Sequence, residues 1–167
     1  MKNVELKVIC ELVKNSRRSD RELAKAVGVS QPTISRTIKK LEKERMLDYT
    51  TIPNLAKLGY GLVAVVFGKR NYRKHPESNL KKAAEFAMNH PNIIFGGAGN
   101  GLGYDRISIS IHKTYADFAE FIREGRAAWE GIMEVDSFLI DLTSKDVVQP
   151  LSLKPFASHL EKEQKLE

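Results

Sequence analysis

Residues 30–43, SQPTISRTIKKLEK, gather the side chains best suited to chemistry in this chain, and that chemistry is recognition rather than bond-making. Gln31, Thr33, Ser35 and Arg36 supply hydrogen-bond donors and acceptors at the start of a helical pattern. Arg can hold a guanine edge through two hydrogen bonds and Gln an adenine edge, each contact discriminating by ~1–3 kcal/mol. These four are the candidates for base contact. Ser30, Lys39, Lys40 and Lys43 suit phosphate oxygens, which give affinity without sequence information. No nucleophile–base pair is evident. The four histidines, His75, His90, His112 and His159, lack metal-ligand spacing, and the single Cys10 provides no zinc set. No catalytic residue, metal or resident cofactor is therefore expected, and the chain reads as a non-enzyme.

The elements that must position these residues run from 19 to 47 as a helix, a tight turn and a second helix, the mark of a helix-turn-helix reader. Ser19 and Glu22 form a capping box, and Leu23, Ala24 and Val27 give an apolar stripe. Gly28 suits a left-handed reversal. Ser30 is placed to cap the second helix, with Pro32 tolerated in its first turn. Ile34, Ile38 and Leu41 then share the inner face, leaving Pro32, Arg36, Lys39 and Lys43 outward, flanked by Thr33, Ser35 and Lys40. A preceding helix over 4–15 carries Leu6, Val8, Ile9, Leu12 and Val13; it is too short to stand alone. After Leu47, the run Asp48-Tyr49-Thr50-Thr51-Ile52 favours a strand that Pro53 stops, the wing of a winged helix.

Charge separates the chain into two parts. Residues 1–60 hold 13 Lys+Arg against 7 Asp+Glu, an excess of 6, whereas residues 61–167 hold 14 of each. The basic excess coincides with the helix-turn-helix, which points to double-stranded DNA as the partner. No apolar run approaches the ~20 residues that span a bilayer, and the start is charged throughout, unlike a signal peptide. A cytoplasmic protein without membrane contact is the expectation, and a single cysteine read as a core residue fits a reducing compartment.

Beyond a connector at 54–60, the order strand (62–67), helix (79–89), strand (93–95), strand (106–112), helix (114–123), strand (135–142) predicts a ferredoxin-like βαββαβ domain over 61–145. The fold class is thus α+β, an N-terminal winged helix-turn-helix over 1–53 followed by that domain. Leu80, Ala83, Ala84 and Ala87 share one side of its first helix. Tyr115, Phe118 and Ile122 point inward from the second. Ile107, Ile109 and Ile111 alternate with Ser108 and Ser110, and Phe138, Ile140 and Leu142 share a face. Two helices cover only one sheet face, yet Leu62–Phe67 is apolar on both, so the second face is expected to meet another subunit in a homodimer. Residues 96–105, GGAGNGLGYD, precede a strand rather than a helix, so a hairpin turn fits better than a phosphate-cradling loop. The same turn lets a small metabolite approach the backbone, with Gly101, Gly103, Tyr104 and Asp105 as candidate contacts. The tail, 146–167, is expected to add an edge strand or pack on the sheet, fraying over EKEQKLE.

Taken together, these features resemble the Lrp/AsnC (feast/famine) family of transcription regulators over nearly all of residues 5–145. The carrying residues are RELAKAVGVSQPTISRTIKKLEKE, the Tyr49-Thr50 wing, Leu58-Gly59 and Tyr104-Asp105. The resemblance implies a winged-helix reader, a RAM-type second domain, dimers through that domain that can assemble into octamers, and amino acids or related metabolites as effectors bound between second domains. Three positions depart from the family pattern: Thr37 stands where Arg is usual, and Arg45 and Leu102 stand where Gly is usual. Two other classes compete with a regulator. Sirohaem decarboxylases resemble the family in fold but need histidines and aromatics around a tetrapyrrole cleft, and no such cluster is evident. A metabolite-binding module using its winged helix for protein contacts predicts no salt-dependent DNA affinity.

Overall fold

The computed structural model describes residues 3–71 and 77–164; His75 and residues 165–167 of the tail lie outside the described residues. The chain divides into two compact units, one of Met1–Ile52 with Gln149–Glu167 and one of Pro53–Val148.

In the first unit, α1 (Asn3–Lys14), α2 (Asp20–Val27) and α3 (Gln31–Lys43) meet around Val8, Leu12, Leu23, Ile34 and Leu41, all buried. Each contributes about 1.5–3 kcal/mol by leaving water. The capping box forms in full: the Ser19 amide donates to Glu22 Oε2 at 2.7 Å and the Glu22 amide to Ser19 Oγ at 3.3 Å. Those Ser19 bonds hold the Glu22 carboxyl below its usual range. Gly28 takes φ 79°, and the Gly28 and Val29 amides both donate to the Ala24 carbonyl, turning the chain between helices. Ser30 stands at the α3 N-cap with extended backbone, but its hydroxyl does not cap: it lies 2.9 Å from Thr33 Oγ1. The hydroxyl of Thr33 competes for it and leaves the first-turn amides to the Ser30 carbonyl.

Helix α3 ends in a Schellman arrangement, the Arg45 amide donating to the Glu42 carbonyl and the Met46 amide to the Leu41 carbonyl. This requires a left-handed residue, and Arg45 supplies it at φ 55°. A side chain there costs energy that Gly avoids. Arg45→Gly should therefore stabilise the unit by roughly 0.5–1 kcal/mol, read as a raised thermal midpoint in the purified protein; a lowered midpoint would contradict the strain argument.

Two sequence expectations fail in this unit. Residues 48–53 form no strand and make no backbone hydrogen bond to other described residues. Strand-favouring side chains cannot make a strand without a partner ladder. The tail does not join the sheet either: α6 (Lys154–Gln164) packs on α1, burying Ala157 completely and pairing Glu161 with Lys14.

The second unit opens with a 3₁₀ turn (Ala56–Leu58) ended by Gly59 at φ 85°. Strands β1 (Leu62–Arg70), β2 (Ile93–Gly101), β3 (Tyr104–His112) and β4 (Met133–Asp141) form an antiparallel sheet of order β2-β3-β1-β4, with α4 (Glu77–Asn89) and α5 (Tyr115–Trp129) as crossovers. This is the ferredoxin-like order. The β2 strand runs well past the predicted 93–95, because pairing with β3 carries the glycine-rich stretch into the sheet despite its poor propensity, with irregularities beside Ile93 and Ala98. Helix α5 runs on to Trp129, past the predicted 114–123, and the side chain of Leu80 lies outside the described residues. The β2–β3 hairpin turns on Leu102 (φ 54°) and Gly103 (φ 82°), the type I′ geometry that favours Asn-Gly.

The register assigns the faces. Ala64, Val66 and Leu139 face Phe118 and Phe121 of α5. On β3 it is Ser110 and His112, not the isoleucines, that lie fully buried on this side. The opposite face carries Val63, Val65, Ile109, Ile111, Phe138 and Ile140, and among the described residues no helix of the unit covers it.

The buried polar pair on β3 is satisfied internally. Asn92 Nδ2 donates to the Ile111 carbonyl at 2.7 Å and lies 3.2 Å from His112 Nδ1, which makes Nδ1 an acceptor. His112 Nε2 then donates to Ser110 Oγ at 2.8 Å, the neutral tautomer. Burial pushes the imidazole below its ordinary value of about 6.5, against the pull of Asp117 at 3.8 Å; His90 lowers it further. The unfolded chain thus binds the proton more tightly. Stability from this site is complete above pH ~6.5 and falls as pH drops from there toward the lower folded value. Urea titrations between pH 7.5 and 5 should show that decline, and in His112→Gln it should flatten; an unchanged slope would place the proton uptake elsewhere.

Candidate nucleic-acid interface

The exposed side of α3 holds the recognition chemistry. At 100° per residue, Pro32, Arg36, Lys39 and Lys43 fall within an arc of about 60°, opposite Ile34 and Leu41. All four are exposed, whereas Thr33 and Ser35 are half-buried and Gln31 is exposed. Gln31 and Ser35 lie on one flank of this stripe, Thr33 and Lys40 on the other. From Arg36 to Lys43 the helix rises roughly 10 Å, so the polar N-terminal end and the lysine end address different stretches of a groove.

Local bonds restrict several of these groups. Arg36 Nε donates to the Pro32 carbonyl at 3.3 Å, laying the guanidinium back toward the helix start. Thr37 Oγ1 donates to the Thr33 carbonyl at 2.8 Å. Lys40 meets Glu5 of α1 at 2.6 Å, and that hydrogen bond holds its ammonium above the usual range, with Glu44 at 3.8 Å adding to it. Lys40 therefore already serves the α1–α3 packing. Lys39 and Lys43 remain on the outer stripe.

Three cations outside the original candidates sit on the same unit. Arg21 and Lys25 are exposed one turn apart on α2, and Arg17 is exposed in the turn before it. Their four-residue spacing, visible in the sequence, is the signal that places them on one side. Arg18 differs, being paired with Glu11. Tyr49 in the segment after α3 is held above its usual pKa, chiefly by burial and then by Glu42, which marks its approach to the α3 flank.

The hairpin candidates in the second unit are occupied by structural bonds. Gly101 pairs with Tyr104 to close the turn that Gly103 makes. Tyr104 donates its hydroxyl to Asp136 at 2.5 Å, which raises its pKa, and stacks on Phe67 at 5.4 Å. Asp105 Oδ1 accepts from the Arg70 amide at 3.2 Å. None of the four residues lines the cavity between α4 and the sheet or the one beside His90. Among the described residues no three His, Cys, Asp or Glu gather as a metal would require, and no helix is long and apolar enough to cross a membrane. His90 pairs with Glu124 and His159 with Glu163.

A basic two-helix reader on a three-helix core, followed by a βαββαβ unit, defines a helix-turn-helix DNA-binding protein with a ferredoxin-like second domain. The winged helix-turn-helix DNA-binding family matches residues 1–47. The chain is 29% identical to the leucine-responsive regulatory protein of Rhizobium meliloti over 87% of its own length and 92% of that protein. It is 30% identical to an HTH-type transcriptional regulator of Pyrococcus furiosus, covering 72% of this chain and 78% of the relative. Among solved structures, a Neisseria meningitidis transcriptional regulator in complex with L-Met superposes with TM-score 0.76 at 18% identity, over 93% of this chain and 99% of that one. The chain belongs to the Lrp/AsnC family of helix-turn-helix transcription regulators, and its function is DNA-binding transcription regulation.

Proposed function

We propose that the protein reads a specific operator through the outer stripe of α3, as a homodimer that presents two such helices to half-sites about one helical turn apart. The exposed Arg36, one helical turn from the N-terminal end and flanked by Gln31, Thr33 and Ser35, is the observation that carries this reading. Those four address base edges. Lys39 and Lys43, with Ser30 at the helix start, address phosphates, joined by Arg21 and Lys25 because the first helix of the motif crosses the backbone. Lys40 contributes less, being engaged by Glu5. The uncovered sheet face supports pairing of second units, and the extended assembly of the family, up to octamers, is consistent with it. Regulation rather than catalysis is supported by the regulators among its relatives, and work on DNA in the cytoplasm follows. An amino-acid-class effector at the Gly101, Gly103, Tyr104, Asp105 hairpin is a narrower part of the proposal, supported by the L-Met complex of the structural relative.

Selection of bound DNA from a random pool, with and without an amino-acid mixture, tests the reading; failure to enrich any sequence would overturn it. Arg36→Ala should cost about 1–3 kcal/mol on the selected site and relax preference there. Lys39→Ala should weaken selected and random DNA alike and reduce the salt slope by about one. Equal losses on both DNAs for both variants would refute that division.

A further inference from the structure

The helix-covered side of the second unit's sheet is incompletely filled. A cavity of about 540 Å³ lies between α4 and the strands. Its origin is residue size. Ala83, Ala84 and Ala87 line it from α4, and Gly96, Gly97 and Ala98 line it from β2. Helix–sheet interfaces close by interdigitating larger side chains; here six positions carry at most a methyl group. Aromatic rings bound the space: Trp129 stands edge-on to Phe86 at 5.2 Å, and Phe121 lies 5.8 Å from Phe86. Gly125 leaves room for the indole, since any Cβ there would overlap the ring.

The charge of the lining is one-sided. Among the described residues its charged members are Arg70 and Arg106, with no carboxylate, and Ser108 adds a hydroxyl. Arg106 pairs in register with Gly68 on the helix-covered face. Its Nη1, one of the guanidinium's two terminal nitrogens, donates to the Asp105 carbonyl at 2.6 Å and lies 3.9 Å from Asp105 Oδ2, the guanidinium carrying five N–H donors in all. A second cavity of the unit, about 450 Å³ beside His90, carries Asp117, Glu120 and Glu124 in its lining instead. Only the first combines an apolar body with a cationic end, in the size range of small-molecule sites.

We propose that this cavity binds a small carboxylate with an apolar body, an aryl- or branched-alkyl acid, its body against Phe86, Trp129 and Ala87 and its carboxylate on Arg106. Arg–carboxylate pairing supplies the orientation, two parallel hydrogen bonds from one planar fork. An α-amino acid is a poor occupant, because its ammonium would enter a lining whose charged members, among the described residues, are both arginines. The site is separate from the Gly101–Asp105 hairpin and does not depend on the DNA-binding reading.

Trp129 is the single tryptophan of the chain, so its fluorescence reports the site directly. Titration of the full chain with 4-phenylbutyrate should give a saturable change. Both 4-phenylbutanol and L-phenylalanine should bind at least about tenfold more weakly. Arg106→Gln should weaken the acid by about tenfold or more and leave the alcohol unchanged. Ala87→Leu should abolish both by filling the space; if circular dichroism shows that variant misfolded, Ala83→Val serves the same purpose. An absent or non-saturating response, equal affinity for acid and alcohol, or indifference to Arg106→Gln would overturn the proposal.

Discussion

Deletion of residues 149–167 is expected to destabilise the DNA-binding unit by about 2–4 kcal/mol and to expose Cys10. The argument begins with α1. Val8 and Leu12 turn to α2 and α3, but Cys10, 1% exposed, lies outside that core cluster. It shares a face with Lys14, one turn along, which pairs with Glu161 of α6. Glu161 also raises the Cys10 thiol, after burial itself. Without α6 this side of α1 meets water. A unit of some fifty residues holds only about 3–5 kcal/mol in its core, so the loss would remove most of its margin. Cys10 is the single cysteine, and its reaction rate with a thiol reagent should rise at least about tenfold, through both exposure and a larger thiolate fraction. Urea unfolding should show the first unit melting earlier and the second unchanged. Unaltered thiol reactivity in the truncated chain would mean that α6 does not cover α1 in solution.

On the proposed pairing of second units, Val65→Asp is expected to leave monomers and to reduce operator affinity by about a hundredfold or more. Val65 lies at the middle of β1, opposite Ile109 on one side and Phe138 on the other, on the face that no helix covers. Within one protomer an aspartate there reaches water, so the second unit should still fold. Between two paired faces the same carboxylate would be buried without a partner, at a cost of several kcal/mol. Loss of pairing removes simultaneous engagement of two half-sites, which is the source of the affinity loss. Sedimentation and operator titration check both parts; unchanged mass would show that subunits meet elsewhere.

The contrast between these two predictions marks what could be read from sequence. The open face was legible because Leu62–Phe67 is apolar in both parities while two helices can cover only one side. The docking of α6 was not, because 154–164 is amphipathic enough to lie on a sheet or a helix, and choosing requires knowing which surface is unfilled. The helix-turn-helix itself was almost wholly local. A capping box, a turn glycine and a 3.6-residue apolar period each act within a few residues, and all three recur in the structure. The same locality explains Arg45 and Leu102. Both replace the family's glycine, and both keep the left-handed backbone a glycine would have taken, at φ 55° and 54°. The surrounding turn bonds, not the residue, dictate that conformation.

Where pairing or burial partners come from far along the chain, local preference gave way. Strand-favouring residues 48–52 stay unpaired, and the glycines of 96–101 enter a strand because β3 offers a ladder. The alternation of β3 was plain, but not that Ser110 and His112 would take the helix-covered side; Asn92, eighteen residues before Ser110, supplies the hydrogen bonding that permits it. The amino-acid sequence alone determined the reader, its basic face, the βαββαβ order and the family. Tertiary structure decided which cations stay available once Glu5 has engaged Lys40, that the tail completes the first unit, and that small residues on α4 and β2 coincide in space to leave a cavity. Each of those outcomes depends on surfaces brought together by folding, which one-dimensional spacing does not encode.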